Sequence, residues 1–237
     1  MRVAILQSSY IPWKGYFDLI HDVDRFVFYD DVQYTRRDWR SRNRLKSVQG
    51  SAWLSVPTHG DRSQLICEVG FADPGWQDTH WKTIMHCYGG ARHFKRYRDF
   101  VADIYLGRRW ETLSEFNQES TRRVCRELLG IETEFQDSRI YGAEGAKMSR
   151  IMDLVRKTDA TTYISGPAGR NYLDESEFRA IGVELVWKDY SGYPEYPQLS
   201  APFEHAVSIL DLVFNVGPDA PWHIWGWRDP SMPRPKR

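Results

Sequence analysis

Short apolar runs alternate with helical patterns at both ends of the chain. Residues 3–6 and 26–29 form apolar runs that are typical of buried strands, and between them apolar side chains recur at helical spacing from residue 16 to residue 23. Residues 161–164 and 183–187 repeat the strand pattern near the other end. Because strands joined through a helix are usually parallel, with a right-handed crossover, the pattern predicts an α/β domain.

The middle of the chain has a helical pattern instead. Apolar positions within residues 81–88 fit one helix face, and those from residue 110 to residue 129 fit another, which Gly130 ends. Residues 65–71 are predicted as a further strand. The predicted fold class is therefore α/β, with a Rossmann-like, mostly parallel sheet and a helical insertion at about residues 76–130.

Domain organisation follows from the same pattern. Residues 1–217 are predicted to form a single α/β domain, because the strand pattern resumes after the insertion and no linker composition separates the parts. Residues 218–237 form a tail rich in Trp, Pro and Arg, which we expect to lie loosely over the surface.

Composition limits the partners that the chain can have. The 237 residues include 32 basic and 32 acidic side chains, so general attraction to nucleic acid or anionic lipid is not expected. The three cysteines and seven histidines lack the spacing of a disulfide framework or a metal site, which predicts no metal ligand and a reduced, cytoplasmic protein. No apolar run approaches the ~18 residues that span a bilayer, so we expect no membrane insertion.

The loops after the predicted strands form the candidate site. In an open α/β sheet, ligands bind at the carboxyl ends of the strands, which places residues 7–16, 30–46 and 165–172 on one rim. The second of these loops contains five arginines interleaved with Trp39 and Asn43. Because the chain has no net charge, its overall charge does not explain a cluster of arginines. This arginine run therefore predicts a bound anion with a flat or sugar-like part.

Two kinds of charged group in the second loop carry the site prediction. Asp30 and Asp31 adjoin at a strand end, where one of them can face the pocket as a general base or a ligand contact; the alternative is a turn or an ion pair with a nearby arginine. Arg42 and Arg44 share a face if their segment is extended, and can then hold a phosphate or a carboxylate. The alternative for this pair is a solvated basic edge.

Other parts of the chain offer further candidates. Gly166 and Gly169 can form a backbone nest for an anion, or serve turn geometry alone. Gln7 can bond a substrate or cap the following helix. Asp211 is a carboxylate in an apolar helix, which makes it either an ion-pair partner or a site residue. His80 is a candidate general acid or base, because an unperturbed histidine titrates near neutral pH.

Several blocks of the sequence resemble the WbqC-like protein family. They are Gln7, Tyr10, Pro12, residues 15–17, residues 28–34, Arg37, Trp39, residues 42–44, residues 163–167, Gly169, residues 172–174, Phe178, Tyr196, Gln198, Phe203, residues 208–212, Asn215 and Gly217. Ser8 and Ser9 depart from the family, where many members have a proline, and Leu6 stands where some have a histidine. Members occur with enzymes that build O-antigen and other surface polysaccharides, and the resemblance implies transfer of glycine or another amino acid to a sugar.

The favoured function is a transferase that places an acyl or aminoacyl group, such as glycyl, on a nucleotide- or lipid-linked sugar. Its partners would be a sugar or nucleotide-sugar acceptor and an activated acyl donor, which is a thioester, an aminoacyl-tRNA or an adenylate. Asp31 or His80 would act as the catalytic base. The other candidates would bind the substrate: Gln7, Tyr16, Asp30, Trp39, Arg42, Asn43, Arg44, Gly166, Gly169 and Asp211.

Two other functions stay open. The opening strand, turn and helix are similar in order to nucleotidylyltransferases of the HIGH-motif group, which hold phosphates at that turn with histidines; Tyr16 stands there in this chain. The first alternative is therefore a nucleotidyltransferase-like enzyme that acts on a small acid or sugar phosphate. The second is a non-catalytic accessory that binds a carrier protein or a tRNA through the arginine run. The sequence leaves the cofactor and the oligomeric state open.

Overall fold

The computed structural model describes residues 1–235, in which seven strands and eight α-helices form. The strands are β1 (Arg2–Leu6), β2 (Arg25–Phe28), β3 (Arg42–Ser47), β4 (Gly50–Ser55), β5 (Glu134–Asp137), β6 (Thr162–Ser165) and β7 (Glu184–Trp187). The helices are α1 (Lys14–His21), α2 (Trp76–Tyr88), α3 (Phe94–Leu106), α4 (Leu113–Arg123), α5 (Met148–Lys157), α6 (Glu175–Ala180), α7 (Ile209–Val216) and α8 (Ala220–Ile224).

Five of the strands form one sheet in the order β5-β2-β1-β6-β7, and every pairing in it is parallel. This confirms the predicted α/β fold with a mostly parallel sheet. The chain adds β2 and β5 on one side of β1 and then β6 and β7 on the other side. The sheet order thus reverses between β1 and β6, and such a reversal opens a crevice at the carboxyl ends of the two strands.

The central strand β1 and its neighbour β2 are buried on both faces. Val3, Ala4, Phe26, Val27 and Phe28 have no exposed surface, because α1 covers one face of the sheet and α5 the other. Continuous apolar runs are what strands of this kind need, which is why β1 and β2 are readable from the sequence. β5 lies at the edge and its sequence is mainly polar, so its pairing with β2 comes from the tertiary structure.

Helices α2, α3 and α4 lie between β2 and β5 in the chain and pack with the antiparallel hairpin β3–β4 around a second core. Immediately after α4, a π-helical segment (Val124–Leu129) continues to Gly130, whose φ of 67° suits glycine. The prediction of a strand over residues 65–71 is wrong, because this segment contains a single 3-10 turn, Ile66–Glu68. The backbone N–H of Leu65 donates to the Glu68 carboxylate at 2.9 Å, and this local bond favours the turn.

The tail packs on the domain instead of lying loosely over it. In α8, Ala220 and Ile224 are buried against α1, and the Trp225 ring stacks on His21 with 4.0 Å between ring centroids. The guanidinium of Arg228 donates two hydrogen bonds, of 3.0 and 2.7 Å, to the fully buried carboxylate of Asp18. Residues 236 and 237 of the predicted tail lie outside the described residues.

We predict that Arg228→Met lowers the free energy of unfolding by about 2 kcal/mol, because Asp18 keeps its burial but loses two charge-assisted bonds. Urea denaturation at neutral pH measures the change. Arg62→Met is the matched control, since Arg62 is exposed on a loop and its loss should leave stability unchanged. Equal stability of both variants would show that the Arg228–Asp18 pair contributes nothing to the stability of the fold.

Candidate functional site

A cavity of about 440 Å³ lies where the sheet order reverses. Its walls come from the three loops that the sequence pattern brings to one rim, with two later residues closing it. The lining residues are Leu6, Ser9, Pro12, Trp13, Tyr16, Trp39, Arg40, Asn43, Gly166, Pro167, Ala168, Tyr190 and Ala206. The volume and the position are those of a small-molecule site in an open α/β sheet.

Aromatic side chains form much of the wall. Trp13 meets Tyr190 edge to face, with 5.2 Å between ring centroids. The hydroxyl of Tyr16 donates to the carbonyl oxygen of Gln7 at 3.0 Å, and burial raises the pKa of Tyr16, so that this hydroxyl stays protonated. Flat apolar faces with a few neutral hydrogen-bonding groups suit a ring-shaped, weakly polar ligand such as a sugar.

Arg40 brings the positive charge to this wall. Its side chain is only 15% exposed; Nη1 lies 3.5 Å from an Asp38 carboxylate oxygen, and Nη2 donates to the Gln7 side-chain oxygen. The buried Nε has no hydrogen-bond partner within residues 1–235. Because a guanidinium has five N–H donors, Arg40 retains donors for an anion in the cavity.

Asn43 shapes the cavity from behind. Its side-chain amide donates to the carbonyl oxygens of Tyr10 and Ile11, at 3.1 and 2.9 Å. Ile11 has a φ of 34°, which is unusual for a β-branched residue. The two bonds hold this turn in place, so the amide nitrogen of Asn43 serves the loop and its contribution to a ligand is indirect.

Asp30 and Asp31 point in different directions. The Asp30 carboxylate is fully buried, where it accepts from the backbone N–H of Ser8 at 2.8 Å and from the Gln118 amide at 3.0 Å. The Asp31 carboxylate instead pairs with Arg150 at 2.6 Å. Neither residue lines the cavity: Asp30 supports the loop after β1 from below, and Asp31 belongs to an ion pair on the other side of the sheet.

Arg42 and Arg44 share one face of β3, but both have protein partners. The Arg42 guanidinium lies over the Trp53 ring, 4.2 Å from its centroid. Arg44 bonds the Ser51 hydroxyl at 2.8 Å and pairs with Glu204. The predicted anion-holding pair therefore lies beside the cavity, and the arginine that lines it is Arg40.

His80 and Asp211 are both core residues away from the cavity. His80 is bonded to the Tyr10 hydroxyl at 2.6 Å, and burial lowers its pKa to about 4. Asp211 accepts hydrogen bonds from Tyr196 at 2.8 Å and Gln198 at 2.7 Å, and burial raises its pKa to about 6. Desolvation thus keeps His80 neutral at pH 7, whereas Asp211 is still mainly ionised at pH 7 and becomes mainly neutral only below about pH 6.

The two glycines differ in their roles. Gly166 lies in the cavity wall, whereas Gly169 lies behind it, where a Cβ would collide with the Ser165 hydroxyl and the Trp187 ring. Of the predicted site residues, the structure brings Tyr16, Trp39, Asn43 and Gly166 together at the cavity, with Gln7 next to Arg40. Within residues 1–235, no group of three or more His, Cys, Asp or Glu side chains is placed to hold a metal ion.

Sequence reasoning missed the other lining residues. Arg40 and Trp13 lie in loops that the strand pattern already indicates, and membership in the arginine run is the signal that marks Arg40. Tyr190 and Ala206 come from irregular segments far along the chain, and no local pattern marks them.

A protein-family model and a relative each match nearly the whole chain. The model of the WbqC-like protein family matches residues 7–222. The chain is 45% identical over 225 residues to the uncharacterized protein Rv1507c of Mycobacterium tuberculosis (strain ATCC 25618 / H37Rv), and the match covers 94% of this chain and 97% of that protein. No solved structure matches the chain. The family match includes β2, β5, β6 and β7, the helices between β2 and β5, and the cavity residues from Ser9 onward.

We predict that the Asp211 carboxyl titrates near pH 6 in the folded protein, as measured by carbon-13 chemical shift against pH. Because its folded pKa lies above the ordinary 3.8, the unfolded chain loses this proton first, and raising the pH from about 4 to about 6 removes about 3 kcal/mol of its contribution to stability. Tyr196→Phe should raise the pKa further, since a donor to the ionised form is lost. A midpoint near 4 in both proteins would contradict the prediction.

We predict that Asn43→Ala costs about 1 to 3 kcal/mol of stability, because the carbonyl groups of Tyr10 and Ile11 lose their donor. Asn43→Asp should cost more, since carboxylate oxygens would then face two carbonyl oxygens. Urea denaturation measures both, with the exposed Asn171→Ala as control. If the aspartate variant is the more stable of the two, the amide does not hold this turn.

Proposed function

Since the chain belongs to the WbqC-like protein family, we propose that it is a transferase that places an acyl or aminoacyl group, such as glycyl, on a sugar carried by a nucleotide or a lipid. The observation that carries the proposal is the aromatic cavity with Arg40 in its wall, at the reversal of the sheet order. The sugar ring would pack on the aromatic faces, and the phosphate that links it to its carrier would bond to Arg40.

The strand order supports this ligand class. Numbered within the sheet, the strands run 3-2-1-4-5, which is the order of the first five strands in the Rossmann-like fold. Folds of this kind bind nucleotides at the reversal point, so a Rossmann-like description is part of the proposal. The likeness is an analogy of topology; the residues of the cavity carry the argument about function.

Transfer to a sugar nitrogen fits the cavity better than transfer to a hydroxyl oxygen. Among the described residues that line it, there is no carboxylate and no histidine to remove a hydroxyl proton. A neutral amine needs no such base: its nitrogen attacks the acyl carbon, the bond from that carbon to the leaving sulfur or oxygen breaks, and the amine proton goes with the leaving group or to water. The cavity then contributes chiefly by holding the two reactants in contact.

The geometry argues against the alternative function, nucleotidyl transfer. That reaction would call on Asp30 and Asp31 as a carboxylate pair near the phosphates, and the two carboxylates have separate partners on different sides of the sheet. We also propose that the protein acts in surface polysaccharide biosynthesis and is located in the cytoplasm. The support for this proposal is the family resemblance, and the fact that no helix within residues 1–235 is long and apolar enough to cross a membrane.

We predict that Arg40→Gln weakens the binding of amino-sugar phosphates and nucleotide-linked amino sugars by about 10-fold to about 100-fold, because a charge-assisted contact is lost. Native mass spectrometry with a panel of these ligands measures binding. Incubation with acyl thioesters and aminoacyl-tRNA, followed by detection of the N-acylated sugar, measures turnover. The melting temperature should change little.

Arg37→Gln is the control, since Arg37 is an exposed arginine of the same loop. If the two variants bind the panel equally well, Arg40 does not hold the ligand and the cavity loses its proposed role. If the panel binds but no N-acylated product forms with any donor, the transferase assignment is wrong and a binding accessory is favoured.

A further inference from the structure

Two exposed tryptophans extend the cavity wall outward. Trp39 lines the cavity and is 44% exposed, and its ring lies 5.4 Å from that of Trp53, which is 48% exposed. The Arg42 guanidinium lies over the Trp53 ring. These three residues, Trp39, Trp53 and Arg42, form what we call the tryptophan platform. Exposed indoles in contact with each other are unusual on a protein surface that binds nothing.

The guanidinium of Arg42 provides the polar groups of the platform. Because Arg42 and Trp53 lie on the same face of the β3–β4 hairpin, the guanidinium lies over the indole ring. Its Nε is buried and has no hydrogen-bond partner in the described part of the chain, so the donors open to a ligand are the two Nη groups. An aromatic face with a guanidinium beside it can bind a flat ring through stacking and through hydrogen bonds to the edge of that ring.

The geometry points to a nucleobase as the group that binds the platform, so that the acceptor is a nucleotide-linked sugar and not a lipid-linked one. This inference rests on the proposed function and chooses between its two carriers. With the sugar in the cavity and its diphosphate at Arg40, the nucleoside leaves the cavity past Trp39 and reaches Trp53. A polyprenyl chain would instead need a continuous apolar groove, and here Arg40 and Arg42 flank the way out.

The test compares three probes that carry the same amino sugar: the sugar 1-phosphate, the nucleotide-linked sugar with uracil, thymine, cytosine or guanine as base, and a short-chain prenyl diphosphate-linked sugar. Isothermal titration calorimetry gives the affinity of each for the full-length protein. We expect wild-type protein to bind at least one nucleotide-linked sugar about 5-fold to about 150-fold more tightly than the sugar 1-phosphate, as one stacked base provides.

Trp53→Ala should abolish this preference while leaving the affinity for the sugar 1-phosphate unchanged. Trp53→Tyr should keep most of the preference, since an aromatic face remains; it also guards against a loss of folding in the alanine variant, which circular dichroism checks. Val48→Ala is the matched control, because Val48 is an exposed apolar residue of the same hairpin. Arg40→Gln should weaken all three probes together.

Several results overturn the inference. They are no preference for nucleotide-linked sugars in the wild-type protein, a preference that survives Trp53→Ala, or tighter binding of the prenyl-linked sugar than of every nucleotide-linked sugar. In these cases the proposed function still stands if Arg40→Gln weakens the sugar phosphate. If Arg40→Gln weakens the binding of none of the probes, the proposed function itself is wrong. The failure of the inference and the failure of the proposed function are therefore distinguishable.

Discussion

The buried carboxylate of Asp30 joins the parts of the chain that build the cavity. It stands at the end of β2, accepts the backbone N–H of Ser8 after β1, and accepts the side chains of Ser114 and Gln118 from α4. A buried carboxylate is costly without such donors, so the strand ends and the helix are held in one arrangement. Asn117, also in α4, extends the same support by donating to the carbonyl oxygen of Arg40 at 2.8 Å.

The arginine run divides into different roles once the chain is folded. Arg40 faces the cavity, Arg42 lies on an exposed indole, and Arg44 pairs with Glu204, which comes from a distant segment. The division follows from position: Arg42 and Arg44 alternate along one face of β3, whereas Arg40 precedes the strand and turns toward β1. One sequence feature therefore supplies a cation in the cavity wall, a guanidinium packed on an indole and a structural ion pair.

Much of the fold and part of the site were predictable from the sequence. β1 and β2 have continuous apolar sequences because both of their faces are covered, and the rule that ligands bind at strand ends selected the loops that line the cavity. β5 was not predictable, since an edge strand needs few apolar side chains and its pairing is non-local. The roles of Asp30 and His80 were not predictable either, because a buried polar side chain shows its partners only in three dimensions.

The sequence by itself determined the α/β class, the approximate position of the helices between β2 and β5, the WbqC-like resemblance and the three loops of the cavity. Periodicity and the positions of glycine and proline are local properties, which can be identified from the sequence alone. The tertiary structure decided which arginine lines the cavity, that Tyr190 and Ala206 close it, and that the tail packs on α1. These outcomes depend on contacts between segments far apart in sequence, which burial and charge pairing select only when the whole chain is assembled.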